Sequence, residues 1–256
     1  MHRNLSHANL LVLSEERNAL DYLRKAHEYL GKVCSDSVAW KWAIISLDGA
    51  LYGFAICALK GTNPHRVMKA GREVSEHIES IPNDLDVKSL PPHFKAVDGS
   101  SKRRLKYKGI MTLQVANQLL GLSNDSAYQD AVINLYEKTH EIISFPEALK
   151  RCQDPQWMLM TVQSKILVMT DSQKTSVETL HKMLRNNFEH YGPRAWIIET
   201  SGMPRIVVDV MQVIRFLALD TGNYVNLTQY EKREIRSIVF QSKRLLKKLA
   251  QDTGQK

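Results

Sequence analysis

Cysteine is scarce. Cys34, Cys57 and Cys152 are odd in number, far apart and without a CxxC pairing, which argues against a disulfide framework or a zinc site and for a reducing cytoplasm. The nine histidines are scattered, and none shares an HExxH-like spacing with a carboxylate, so no metal and no other cofactor is expected. Long hydrophobic runs are also rare. Residues 43–59, AIISLDGALYGFAICAL, form the one apolar stretch of note, and they are short for a bilayer and contain Asp48. A buried core helix is the expectation, with no membrane partner. The first residues lack a long apolar h-region and a small-residue cleavage site, so a cytoplasmic location is expected. Internal repeats and low-complexity tracts are missing too, which leaves no case for a solenoid.

What is present describes an ordinary globular chain. Its 256 residues can fill one large core or two modest ones, and 43% hydrophobic with 24% charged residues excludes a fibrous or disordered class. The net charge of +8 favours a polyanionic partner, nucleic acid before an anionic membrane.

Helical punctuation dominates. Ser14, followed by Glu15 and Glu16, starts a helix that runs to about Val33. Ser35-Asp36-Ser37 caps a second, Val38 to Lys60, stopped by Gly61; it is apolar almost all round and belongs at the centre of a bundle. Asp48 inside it needs a partner, either as a hydrogen-bonded boundary aspartate or as support for Arg185. Further helices are expected over 109–120, 126–143, 145–152 and 156–169, and another is opened by Pro204. Thr228 and Glu231 form a capping box for a last, basic amphipathic helix. Beyond residue 109 only Ala195–Glu199 is an extended candidate.

Residues 61–108 change character. Four of the chain's eight prolines, with Gly71, Gly99, Ser100 and Ser101, punctuate a polar segment with one short helix expected over Val67–Ile81. It is read as an insertion or lid within a single all-α domain covering 1–256. The segment closes on Lys102, Arg103, Arg104, Lys106 and Lys108 around Tyr107, either an RNA-binding run or a solvated loop. Lys243, Arg244, Lys247 and Lys248 on the last helix pose the same choice.

The strongest pattern is Arg185-Asn186-Asn187-Phe188-Glu189-His190, within TSVETLHKMLRNNFEHYGP. Val177, Leu180, Leu184, Phe188 and Tyr191 form a core stripe, which places Arg185, Asn186, Glu189 and His190 on the other side. Thr175 and Glu178 read as the capping box, Gly192-Pro193 as the stop. The negative end of the helix favours a protonated His190. Metal-free RNA cleavage needs a proton carrier near neutrality and a fixed cation for the phosphorane; histidine and arginine are those groups. One chain offers one such histidine, and a two-fold dimer would offer two. Arg72 and His77 repeat the spacing, without an asparagine after the arginine and inside the polar insertion.

RNNFEH, within LRNNFEHYGPRAW, resembles the RNxxxH signature of the HEPN superfamily, and ALYGFAICAL looks like an early HEPN core helix. The resemblance covers the motif helix well, its neighbours loosely and residues 61–108 not at all. It implies an all-α HEPN-like bundle in which Arg185 and His190 are catalytic and Asn186 supports them. Asp48, Glu189 and Tyr191 are candidates for the surrounding shell. It further implies a metal-independent endoribonuclease of a toxin-antitoxin or phage-defence system. The site would be composite, at a homodimer interface, with 2′,3′-cyclic phosphate products and an antitoxin partner of nucleotidyltransferase or other type. The alternative from another class is a non-catalytic helical module that binds nucleic acid or a protein, with Arg185 and His190 as a structural or interface pair.

Overall fold

The computed structural model describes residues 13–69, 74–79, 94–97, 104–109, 113–139, 141–189, 197–223 and 225–253. Their backbone contacts divide the chain into two units, one of residues 1–66 and 144–256, the other of 67–143.

The first unit is helical. α1 (Glu15–Leu30) begins as its sequence requires, with Ser14 Oγ accepting from Arg17 N. α2 (Ala39–Lys60) follows and ends at Gly61 as expected, with a positive φ of 50° that glycine adopts without a Cβ clash. The two form the most intimate pair of the unit, and α2 also touches α5 (Phe145–Cys152), α6 (Pro155–Met158) and α9 (Met203–Arg215). That environment explains its composition: Ile44, Leu47, Leu51, Phe54 and Leu59 are all at or below 1% exposed. α2 has the length and hydropathy to cross a bilayer, yet 72% of its most apolar window is buried inside the structure.

α10 (Gln229–Thr253) starts on the expected box. Thr228 N donates to Glu231 Oε2 at 2.7 Å and Glu231 N to Thr228 Oγ1 at 3.2 Å. The Thr228 backbone bond in turn holds the Glu231 carboxyl below its ordinary pKa.

Two expectations for this unit need correction. Residues 156–169 form only the single turn α6, because Asp154 caps it and the chain beyond Met158 bonds elsewhere: Lys165 N to Thr221 O, Leu167 N to Cys152 O. The motif helix begins one turn earlier than Thr175. α7 (Asp171–Glu178) is capped by Thr170 and Gln173 in a reciprocal box, while Thr175 Oγ1 donates to Asp171 O inside the helix.

The second unit overturns the reading of its first half. Where a helix was expected over Val67–Ile81, a single 3₁₀ turn at Pro64–Val67 precedes strand β1 (Val74–Glu79). β2 (Phe94–Val97) and β3 (Arg104–Gly109) complete an antiparallel sheet in the order β1-β3-β2. The register pairs Glu79 with Arg104, His77 with Lys106 and Phe94 with Tyr107. The basic run is thus partly a central strand. α3 (Leu113–Leu120) and α4 (Ser126–Thr139) follow, burying Ala116, Leu119, Tyr128, Val132 and Leu135 together. Tyr128 is fully buried and donates its hydroxyl to Leu119 O at 3.2 Å, and burial pushes its phenol up to about 12. Lys69 pairs with Glu141 at the stem. The insertion accordingly extends to residue 143 and has its own sheet and core; the chain is mostly helical, and all-helical only in the described part of the first unit.

Cysteine chemistry follows from burial. Cys57 and Cys152 are 1% and 0% exposed, and desolvation pushes both thiols up to about 12, whereas Cys34 is exposed. Because only the thiolate reacts, an aromatic disulfide reagent at pH 8 is expected to modify one thiol in the native protein and three in denaturant. Rapid native modification of two or three would contradict this packing.

Candidate functional site

The motif helix is not a plain α-helix. From α7 it passes through a π-helical segment, Thr179–Arg185, into α8 (Asn186–Glu189). Its i→i+5 bonds each enclose one more residue than those of an α-helix, so residues beyond it turn away from the phase of a regular wheel. The expected stripe shows the effect: Val177 and Leu180 are buried at 4% and 0%, while Leu184 and Phe188 are only half-buried. Arg185, expected on the side away from the core, instead reaches back to α2. Its Nε lies 3.7 Å from Asp48 Oδ2, and its side chain keeps 32% exposure.

Asp48 is the centre of the cluster. It is 6% exposed on an otherwise apolar helix, and its Oδ1 lies 3.0 Å from Nδ1 of His181. One carboxylate therefore faces an arginine and an imidazole that stand one helical turn apart. When Asp48 is ionised, this contact requires Nδ1 to carry the donated proton. The His181 ring lies against Phe145, centroids 4.1 Å apart, and Tyr52 meets Phe145 edge-on at 6.0 Å. Arg185 Nη1 donates to Asn186 Oδ1 at 3.0 Å, so the asparagine after the arginine also holds the guanidinium. Beside His181 opens a groove of about 510 Å³ between α5 and α7, with Phe145, Leu149 and Val177 in its lining and Lys150, Lys174 and Lys182 around it. Lys174 pairs with Asp171 at 3.1 Å and Lys182 with Glu178.

Of the residues singled out in the sequence, Arg185, Asn186 and Asp48 are brought together. His190 and Tyr191 lie outside the described residues, as do Lys102, Arg103 and the Gly192-Pro193 stop; Glu189 closes α8. Arg104, Lys106 and Lys108 occupy alternate positions of β3, with Lys106 exposed. Lys243, Arg244, Lys247 and Lys248 are exposed on α10. The Arg72 and His77 pair separates from the motif, since His77 is on strand β1. Among the described residues no group of three His, Cys, Asp or Glu could hold a metal ion.

His181 was missed. The available signal was its position four residues before Arg185, which puts the two on one helix face, combined with the lone carboxylate of α2.

Set against known proteins, the chain matches no family model, no curated protein and no solved structure.

Proposed function

We propose that this protein is a HEPN-type, metal-independent endoribonuclease that cleaves RNA by attack of the ribose 2′-hydroxyl. The observation that carries the reading is the convergence of Arg185 and His181 on the buried Asp48, with Asn186 on the guanidinium. In this reading Arg185 holds the scissile phosphate through its planar fork. An imidazole takes the 2′-hydroxyl proton, the 2′-oxygen bonds to phosphorus, and the P–O5′ bond breaks as a second acid protonates the leaving oxygen. His190 is the first proton carrier, and His181, oriented by Asp48, is the nearest candidate for the second. A homodimer that joins two such helices would add the partner copy of each. The toxin or phage-defence role and an antitoxin partner follow from the HEPN reading and belong to the same proposal.

Incubation of the purified protein with total RNA and tRNA in EDTA tests it. Fragments with 2′,3′-cyclic phosphate and 5′-hydroxyl ends are expected. Intact RNA, or cleavage that requires added metal, overturns the reading in favour of a non-catalytic helical module in which Asp48, Arg185 and His181 only brace the helices. Solution mass gives a second readout, with a dimer expected.

A further inference from the structure

A larger groove, of about 630 Å³, lies in the first unit between the end of α9 and the middle of α10. Buried Val213 and Val239 and half-buried Phe216 contribute its apolar lining. Cations stand on both sides, Arg215 from α9, Arg236 and Lys243 from α10. The lining holds one carboxylate, Asp220, already paired with Arg215 at 3.3 Å. Arg236 and Lys243 have no acidic partner among the described residues.

The pattern on α10 is the second observation. Ile235, Ile238, Val239, Ser242 and Leu246 are buried, while Arg236, Phe240, Lys243 and Lys247 recur at steps of four, three and four on the exposed side. A solvated charged face has no use for a phenylalanine, yet Phe240 is 61% exposed in the middle of it, with the Arg244 guanidinium 5.8 Å from its ring centroid. An aromatic ring set among planar and point cations, above a concave apolar floor, is what a single nucleic-acid strand requires: cations for the phosphates, a face for one base. A duplex cannot use the ring, because its bases are stacked on each other. A membrane would favour a convex apolar face, and here the apolar surface is recessed between two cationic rims.

We propose that this groove binds single-stranded RNA, with phosphates on Arg215, Arg236 and Lys243 and one base stacked on Phe240. The choice of RNA over DNA rests on the ribonuclease reading; the single strand rests on the groove. Gln173, in the lining, is on the same continuous helix as Arg185, twelve residues earlier, less than the ~18 Å a straight α-helix would span. That separation is within reach of the roughly 4–16 nucleotides such tracks engage, so the groove would feed the strand to the site.

The test is fluorescence anisotropy with a labelled, unstructured 15-nucleotide RNA in EDTA, using the His190→Ala protein so that the probe is not consumed. Phe240→Ala is expected to weaken binding about tenfold or more, and the pair Arg236→Gln and Lys243→Gln to flatten the slope of log affinity against log salt by about 1.4. The same RNA annealed to its complement should bind more weakly and ignore Phe240→Ala. All three side chains are exposed, and unchanged thermal melts verify that the variants are folded. Unchanged affinity in Phe240→Ala, equal binding of duplex and single strand, or preference for phosphatidylserine vesicles overturns the groove. Cleavage in EDTA with no effect of these variants on affinity sinks the groove and spares the ribonuclease reading; groove binding by a wild type that leaves no cyclic-phosphate ends does the reverse.

Discussion

Cleavage is expected to fall about 10²–10⁴-fold when His190 becomes alanine and about 10³-fold when Arg185 does. The two losses differ in origin. His190 is assigned a proton, and general acid-base groups contribute through the fraction held in the right protonation state. Arg185 is assigned the charge of the phosphorane, and it stays charged at every working pH. Arg185→Lys should recover little, because an ammonium cannot present the fork that grips two phosphate oxygens. The structure supplies the control on stability. Arg185 keeps a third of its surface, and its Nε is 3.7 Å from Asp48, outside hydrogen-bond range. The part-exposed guanidinium contributes about 1 kcal/mol or less, and the buried Asp48 keeps His181 as a partner, so Arg185→Ala protein should stay folded with a melt lowered by about 2–4 °C. Lost cleavage with so small a change in the melt assigns Arg185 to the reaction. Unchanged cleavage in either variant, or a melt that collapses along with activity, assigns the pair to the fold.

Local chemistry was legible in the sequence where the residue type dictates the geometry. Ser14, Gly61 and the Thr228 and Glu231 box each act within four residues of themselves, and each stands where its hydrogen bonds place it. Asp48 was legible for another reason: a carboxylate within an apolar helix must find a partner, and Arg185 was the cation worth naming. What escaped depends on longer range. Thr170 and Gln173 compete with Thr175 and Glu178 for the same role, and tertiary packing decides between two sound boxes. The π-helical segment has no compositional mark, and a regular 3.6-residue period therefore misplaces Arg185 on the side away from the core. His181 joins the site only because α2 crosses the helix there. The sheet went unread because Val74–Glu79 and Arg104–Gly109 are short and charged, and their pairing spans about thirty residues of polar chain, a contact no local pattern announces.

The second large effect concerns the helix that holds Asp48. Gly49 and Gly53 are one turn apart on α2, and a Cβ built on Gly53 would stand 2.7 Å from the Ala19 Cβ and 3.2 Å from its Cα. One built on Gly49 would stand 2.8 Å from the Tyr22 ring. Both contacts lie in the α1 and α2 interface, but they yield differently. Tyr22 is 38% exposed and can swing its ring outward; Ala19 is 1% exposed and can move only with its backbone. Gly53→Val is therefore expected to cost about 3 kcal/mol, at the upper end of core overpacking. That is a large share of the roughly 5–15 kcal/mol that holds such a chain folded, and it corresponds to a midpoint about 6–12 °C lower in a circular-dichroism melt. Gly49→Ala should stay within about 1 kcal/mol of wild type, since the ring moves and alanine is the better helix former. Adding Ala19→Gly to Gly53→Ala vacates the space the new methyl needs, so the double variant should be more stable than the sum of its parts. A Gly53→Val melt within 2 °C of wild type would mean that α1 and α2 are farther apart than these distances require. The same experiment reports on the site, because Asp48 precedes Gly49 on the strained helix. Any shift of α2 that relieves the clash moves the carboxylate relative to His181 and Arg185, so surviving folded protein should lose cleavage more steeply than it loses stability.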